Sequence, residues 1–499
     1  MSIPNGTPGS DTAVLGIDLG TSQVKALLCG PDGRVLGKGI AAYSVRAPRA
    51  GWAEIDPEDW WEATAAAVRE AGAADRAGRD IAGLAVVGQM HGAVLTDAGG
   101  TALRPAILWL DRRSSAEVGN YRRLPADLRS ALGNPPSPGM AGPTLLWLSR
   151  HEPGTYGRAR WLLQPKDWLR LRLTGEAASE PTDASATLLY DLGRGRWATE
   201  VAAALGLRTD LLPPLRSPAE VAGHLTPGAA ARLGLRPGLP VAAGAGDTAA
   251  SVLAAGLPGP GWALLTLGTG GQWVVPVTSA DPAAGGLDPS GQTNLFCAAD
   301  GGAYRLAAAQ NVGVTLDWVA SILRTDWPEL YGTAGRPWRP DTPVFLPYLA
   351  GERWDDGAAG AGGAWQDLSL AHRREDLLRA ALEGVAFLLR SKLEDLQRMG
   401  CGPEQVVIAG GGSQDPAWRR LLGDVLGLPL SAASTPWLTA RGATLIAGMA
   451  AGQYATWAQA TGSVPPPEPA AGAGRSDPAE EHYRRFRRAA ARQAGEGKE

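Results

Sequence analysis

The residue whose type and setting most invite chemistry is Asp247, in the stretch Ala243-Gly244-Ala245-Gly246-Asp247-Thr248-Ala249-Ala250. Val241 and the small residues after it predict a short buried strand that breaks at glycine. The acid is then left at the mouth of a cleft, just before a helix begins. An unpaired carboxylate is costly to bury, so an acid amid Ala and Gly needs a local partner or a chemical task. A local partner would make it an ordinary helix cap. The task would be to take a proton from a reacting group.

A second acid stands in a different kind of loop. Ala13-Val14-Leu15-Gly16-Ile17 predicts a buried strand ending in Asp18-Leu19-Gly20-Thr21-Ser22, and Val24 to Leu28 continues it as a β-hairpin. Gly20 lets backbone approach a ligand closely, while Thr21 and Ser22 offer hydroxyls and N–H groups, a combination suited to phosphate. Asp18 adds a charge suited to Mg²⁺, held through water. The second half of the chain repeats the device. Ala263-Leu264-Leu265-Thr266-Leu267-Gly268-Thr269-Gly270 parallels the first loop, with Thr266 where the first copy has Asp18. Two such loops facing each other across a cleft could grip one polyphosphate, with a single acid for its metal. No Gly-x-x-x-x-Gly-Lys-Ser/Thr phosphate loop is present.

Polar side chains also cluster at predicted strand ends. Ile81 to Val87 predicts a buried strand followed by Gly88-Gln89-Met90-His91-Gly92, which puts Gln89 and His91 at the edge of a sheet where α/β proteins bind ligands. His91 can donate or accept at a hydroxyl. Asp111 and Arg113, in Leu108-Trp109-Leu110-Asp111-Arg112-Arg113, read either as hydroxyl ligand and orienting partner or as a surface ion pair. Trp52 reads as packing or as a platform for a sugar face.

The elements that position these residues alternate strand and helix. Asp56 caps a helix with Pro57 at its first turn, and Trp60, Trp61 and Val68 lie on its apolar face. Leu377 to Met399 predicts a long amphipathic helix, and Gln405 to Ala409 a strand running into Gly410-Gly411-Gly412. Asp415 and Pro416 then open a helix through Leu426.

A chain of 499 residues exceeds the usual size of one core, so two domains are expected. A formal charge of −3 with 19% charged residues leaves no electrostatic footprint for nucleic acid. Three cysteines without metal or redox spacing predict reduced thiols and a cytoplasmic setting. Five scattered histidines lack the spacing of a protein-held zinc site. Residues 1–12 read as a disordered leader lacking the basic and apolar regions of a secretory signal, and no run is apolar enough to span a bilayer.

The paired loops, Asp247 and the segments above resemble the FGGY carbohydrate kinases, and within them the xylulokinases, from about Val14 to about Gly452. The resemblance implies an α/β, two-domain actin/hexokinase-like (ribonuclease H-like) ATPase fold, with duplicated domains around a central cleft. It divides the chain into an N-terminal sugar-side domain at 13–250, a C-terminal adenosine-side domain at 251–460, and a linker and tail at 461–499. It implies ATP and Mg²⁺ as cofactors and a small sugar, D-xylulose, phosphorylated at its 5-hydroxyl. Asp247 would be the base and Asp18 the metal carboxylate. Met90, His91, Gln89, Asp111 and Trp52 would face the sugar. Gly20, Thr21, Ser22, Gly268 and Thr269 would hold the phosphates, and Gly411 and Gly412 the adenosine. No nucleic acid or membrane partner is implied, and a homodimer is left open.

The chain departs from that pattern at several places. Leu110 stands where xylulokinases often carry Asn and Thr144 where Lys is common; an acid is missing near Thr435, and Trp354-Asp355-Asp356-Gly357 replaces a Thr-Pro continuation. These departures keep two alternatives open: a kinase for another ketopentose or a polyol, and a non-catalytic sugar or nucleotide sensor.

Overall fold

Runs of Val, Leu, Ile and Ala with no polar alternation bury on both faces, as interior strands covered by helices do. A computed structural model of the chain places such runs at the centre of two seven-stranded sheets. The structure describes residues 12–74, 80–257, 261–277, 286–349, 351, 362–435, 437–471, 474 and 476–494. Apart from Thr12, the expected leader lies outside the described residues, as does the departure at Trp354 to Gly357.

The first sheet contains β1 (Ala13–Leu19), β2 (Gln23–Cys29), β3 (Val35–Ala42), β4 (Ile81–Gly88), β5 (Val221–His224) and β6 (Pro240–Ala242), in the order β5-β6-β4-β1-β2-β3. Ala245–Gly246 adds a two-residue strand to the end of β4. The second contains β7 (Trp262–Leu267), β8 (Gly271–Val277), β9 (Asn294–Cys297), β10 (Ala303–Ala309), β11 (Gln405–Ala409), β12 (Leu430–Ala432) and β13 (Glu468–Ala471), in the order β9-β10-β8-β7-β11-β12-β13. The two share one plan. β1 is antiparallel to β2 and parallel to β4, as β7 is antiparallel to β8 and parallel to β11. The repeat expected from the two Leu-Gly-Thr loops is therefore a repeat of whole sheets.

Helices cover the sheets: α1 (Pro57–Ala74), α2 (Pro165–Thr174), α3 (Asp247–Ala254), α4 (Arg374–Arg398), α5 (Pro416–Leu426), α6 (Leu438–Ala450) and α7 (Asp477–Ala494). The caps follow the sequence. The Asp56 carboxylate accepts from the Glu58 N–H at 3.1 Å, and the Asp415 carboxylate accepts from the N–H groups of Ala417 and Trp418. No helix among the described residues is long and apolar enough to cross a membrane.

The core does not divide at one residue. α6 lies against β1 and β4 of the first sheet as well as against α3. Its Ala443, Ile446 and Ala447 share one apolar cluster with Val14 and Ala85 of the first sheet and Leu264 and Val407 of the second. The stretch expected as linker and tail also differs: β13 pairs with β12, and α7 packs on α4. Tyr483 lies 5.6 Å from Phe387 between ring centroids, and Arg390 pairs with Glu480 at 2.6 Å. Ala479, Tyr483, Phe486 and Ala489 recur at helical spacing and are buried. The Arg-rich opposite face dominates the composition of this helix and hides that stripe.

Gly442 is where α6 crosses α3, and a side chain there would run into the Ala250 carbonyl. The exposed helical Gly72 of α1 has open space around it. Gly442→Val is therefore expected to cost about 1–3 kcal/mol or more in denaturant unfolding. Gly72→Ala should leave stability unchanged or raise it by up to about 1 kcal/mol. Equal effects would contradict the close crossing.

Candidate active site

The C-terminal ends of parallel strands gather the site. Asp18 is the penultimate residue of β1, and the hairpin register sets Lys25 of β2 opposite it. Asp18 is buried, and the resulting loss of water raises its carboxyl to about 7; Lys25 opposes this shift and the charge of Asp247 adds to it. Next along the sheet, Gly88 of β4 pairs with Leu19 on one side and Gly246 on the other. Asp247 follows Gly246 directly as the first residue of α3.

Asp247 is not the cap of its helix, a position that Gly246 fills without a side-chain bond. Its carboxylate accepts from the Thr248 N–H at 2.7 Å and is 3.3 Å from the Thr248 hydroxyl. Burial raises it to about 6, and those two bonds restrain the rise. The two acids thus ionise near neutrality, a range in which a carboxyl can both take and release a proton.

Both acids border one cleft of about 1900 Å³ between the sheets. Thr21 and Ser22 of the first hairpin loop line it, as do Gly268 and Thr269 of the second. The loops close alike: the Gly20 N–H donates to the Gln23 carbonyl at 3.1 Å, and the Gly268 N–H donates to the Gly270 carbonyl at 2.9 Å. Gly20 itself lies behind the lining, where its carbonyl accepts from Tyr43 Oη and from Gln89 Nε2. Gly410 also borders the cleft with φ of +93°, and a Cβ there would strike the Leu267 carbonyl. Gly411 and Gly412 begin the short 3₁₀ turn just beyond that border.

The expected sugar-side residues divide. Asp111 lines the cleft, but its carboxylate is already engaged. It accepts from the Ala53 N–H at 2.6 Å and from Arg113 Nε and Nη2 at 2.9 and 2.8 Å. Both side chains are buried, so the pair is not a surface ion pair. Trp52 does not border the cleft, and the Arg113 guanidinium lies 3.6 Å from its ring centroid. Gln89, Met90 and His91 form a buried layer outside the lining. Met90 packs against Gly246, and His91, at φ of +71°, holds Nδ1 2.8 Å from the Ala186 carbonyl. Leu110 is 44% exposed on the cleft wall, whereas Thr144 is buried.

Several cleft residues escape a reading by motif. Lys25 is legible only once the hairpin register is known. Ser251, one helical turn after Asp247, donates to the Asp247 carbonyl and meets the Thr439 hydroxyl at 2.9 Å, so its i+4 spacing was a usable signal. Trp109 lines the cleft, and its Nε1–H donates to Thr21 Oγ1 at 3.1 Å, tying the sugar-side loop to the first hairpin.

Two sheets of one topology, each sending a hairpin loop into a shared cleft, define an actin/hexokinase-like ATPase fold. The N-terminal domain of the FGGY family of carbohydrate kinases matches residues 13–254 and the C-terminal domain of that family matches 264–451, so the chain belongs to the FGGY carbohydrate kinases. It is 37% identical over 420 residues to a xylulose kinase of Klebsiella pneumoniae, covering 83% of this chain and 85% of that protein. It is 36% identical over 420 residues, with the same coverage, to a xylulose kinase of Escherichia coli strain K12. The solved xylulose kinase of Rhodospirillum rubrum superposes with a TM-score of 0.85 at 29% identity, covering 96% of this chain and 98% of that one. The enzyme is a phosphotransferase of the sugar kinase class, using ATP and a small-molecule acceptor.

The charge of Asp247 helps to hold the Asp18 carboxyl up. Asp247→Asn is therefore expected to lower the Asp18 titration midpoint from about 7 in the ligand-free protein. Carboxyl NMR on Asp-labelled protein reads the shift. An unmoved midpoint would mean that the two acids do not share a field.

Proposed function

We propose that the enzyme transfers the γ-phosphoryl group of ATP to the 5-hydroxyl of D-xylulose, giving D-xylulose 5-phosphate. The observation that carries this reading is the meeting of Asp247, Asp18 and both hairpin loops around one cleft. The acceptor is supported by relatives named xylulose kinase at 37% and 36% identity.

A primary alcohol is a weak nucleophile, and phosphoryl transfer gains most from positioning and charge stabilisation. Asp247 accepts the hydroxyl proton as the oxygen attacks the γ-phosphorus in line. Backbone and hydroxyl groups of Thr21, Ser22, Gly268 and Thr269 orient the phosphates, Gly20 closes the turn that presents the first pair, and Gly410 to Gly412 leave room for adenosine. Met90, His91 and Gln89 form the layer behind the sugar, and Arg113, packed on Trp52 outside the lining, holds Asp111 in place on the cleft wall.

Mg²⁺ fits this donor set. Among the described residues no cluster of three His, Cys, Asp or Glu side chains could hold a metal, but Asp18 is a buried carboxylate opposed by Lys25 alone. Asp18 would hold the ion through water, and the ion, arriving with the nucleotide, would offset charge on the phosphoryl oxygens. The enzyme acts in the cytoplasm, a reading supported by free Cys29, Cys297 and Cys401.

A second acceptor is favoured by one observation. Leu110 exposes an apolar side chain on the cleft wall, where an amide would have offered hydrogen bonds. Another ketopentose or a polyol would fit such a wall. ADP release measured across a panel of pentuloses and pentitols tests this, with D-xylulose expected to give the highest kcat/KM. A pentitol or D-ribulose in first place would overturn the assignment.

Asp247 must be ionised to accept a proton, and its carboxyl is raised to about 6. Activity is therefore present above that value and lost as pH falls through it. Asp247→Asn is expected to leave sugar binding intact and to lower kcat by at least about a hundredfold. An unaltered kcat in that variant would remove Asp247 from the chemistry.

A further inference from the structure

Beneath the Asp247 loop lies a set of charges outside the cleft lining. Lys166, Asp167 and Arg170 of α2, together with Glu180 and Asp183 of the following segment, are wholly buried. Lys166 Nζ lies 2.6 Å from Asp167, 3.2 Å from Glu180 and 3.3 Å from Asp183, and Arg170 pairs with Asp167 at 2.9 Å. Burial pushes the Asp183 carboxyl well above the usual carboxylate range despite Lys166, which offsets the surplus of acids. Buried ion sets contribute little net stability, and their best-attested use is to fix a geometry.

This set grips the Asp247 loop at two points. Arg170 Nη1 donates to the Ala243 carbonyl at 2.8 Å. The Gly246 N–H donates to Thr182 Oγ1 at 2.8 Å, and the Thr182 hydroxyl in turn donates to Glu180 Oε1 at 2.9 Å. Between the two grips, Gly244 takes φ of +88°, and a Cβ there would strike the Val86 carbonyl, so that residue has little freedom to shift. Gly246 is the cap residue of α3 and has no side chain of its own to set the entry of the helix.

We propose that Thr182 is a positioning residue for phosphoryl transfer: through the Gly246 N–H it fixes the backbone from which Asp247 projects, with Glu180, Lys166 and Arg170 as its buried anchor. This rests on the reading of Asp247 as the proton acceptor. Thr182 is buried outside the cleft lining, so its loss should appear in kcat and leave binding unaltered. A misplacement of about 1 Å is enough to cost on the order of a hundredfold in rate.

The test compares Thr182→Val, Thr182→Ser and Asp247→Asn in steady-state kinetics, with folding checked by circular dichroism and melting. Thr182→Val, which keeps the shape and removes the hydroxyl, is expected to lower kcat at least about tenfold with both KM values within about threefold. Thr182→Ser, which keeps the hydroxyl, should return kcat to within about threefold of the parent. If the valine variant does not fold, Thr182→Ala carries the same expectation. A hydroxyl-free variant with kcat within twofold of the parent, alongside an inactive Asp247→Asn, would overturn the positioning role and leave the base standing. A near-normal Asp247→Asn would strike the base itself, and the positioning role with it.

Discussion

Two carboxylates held one strand apart are the constraint on which this structure depends. Leu19, Gly88 and Gly246 stand side by side at the ends of three parallel strands, with Asp18 one residue before the first and Asp247 one residue after the last. With neighbouring strands about 4.8 Å apart, the backbones that carry the two acids are about 10 Å apart. Neither acid can be moved without moving the centre of the first sheet. Burial drives both carboxyls upward, and the cation of Lys25 opposes the shift at Asp18. The free energy spent on desolvating them is recovered only if a ligand or a proton transfer makes use of it.

The duplicated architecture explains why one acid suffices at the first hairpin. Both sheets build the same antiparallel hairpin beside the same parallel strand, so each sends a tight loop toward the cleft. At the equivalent strand position the first copy carries Asp18 and the second Thr266, giving two similar grips with one charge between them. α6 and α3 cross between the sheets on a shared apolar cluster, so movement of one half against the other must pass through that crossing. The close approach at Gly442 makes the crossing a packed joint rather than a loose linker.

Much of this was legible in the chain because it follows local rules. The Leu-Gly-Thr loops, the Asp56-Pro57 and Asp415-Pro416 helix starts and the buried strands at 13–19, 81–88 and 405–409 are set by turn chemistry and hydrophobic period. What depends on long-range packing was not. Asp111 reads as a hydroxyl ligand until its carboxylate is found filled by Arg113 and the Ala53 N–H. Trp52 reads as a sugar platform until Arg113 is found against its ring. The tail reads as linker and charge because the partners of its buried Tyr483 and Phe486, Phe387 of α4 and Tyr348, lie about a hundred residues or more earlier in the chain. The segments around Lys166 and Thr182 read in sequence only as structural helix with no role of their own, since their meaning lies in contacts with a loop far along the chain.

The central claim is geometric: one cleft brings the acceptor hydroxyl, the γ-phosphate and Asp247 together. A crystal structure with D-xylulose and a non-hydrolysable ATP analogue measures this directly. The account predicts the phosphates between Thr21–Ser22 and Gly268–Thr269, with the Asp247 carboxylate within about 3.2 Å of the acceptor oxygen. Phosphates bound away from either hairpin, or an acceptor oxygen beyond reach of Asp247 in the closed complex, would contradict it.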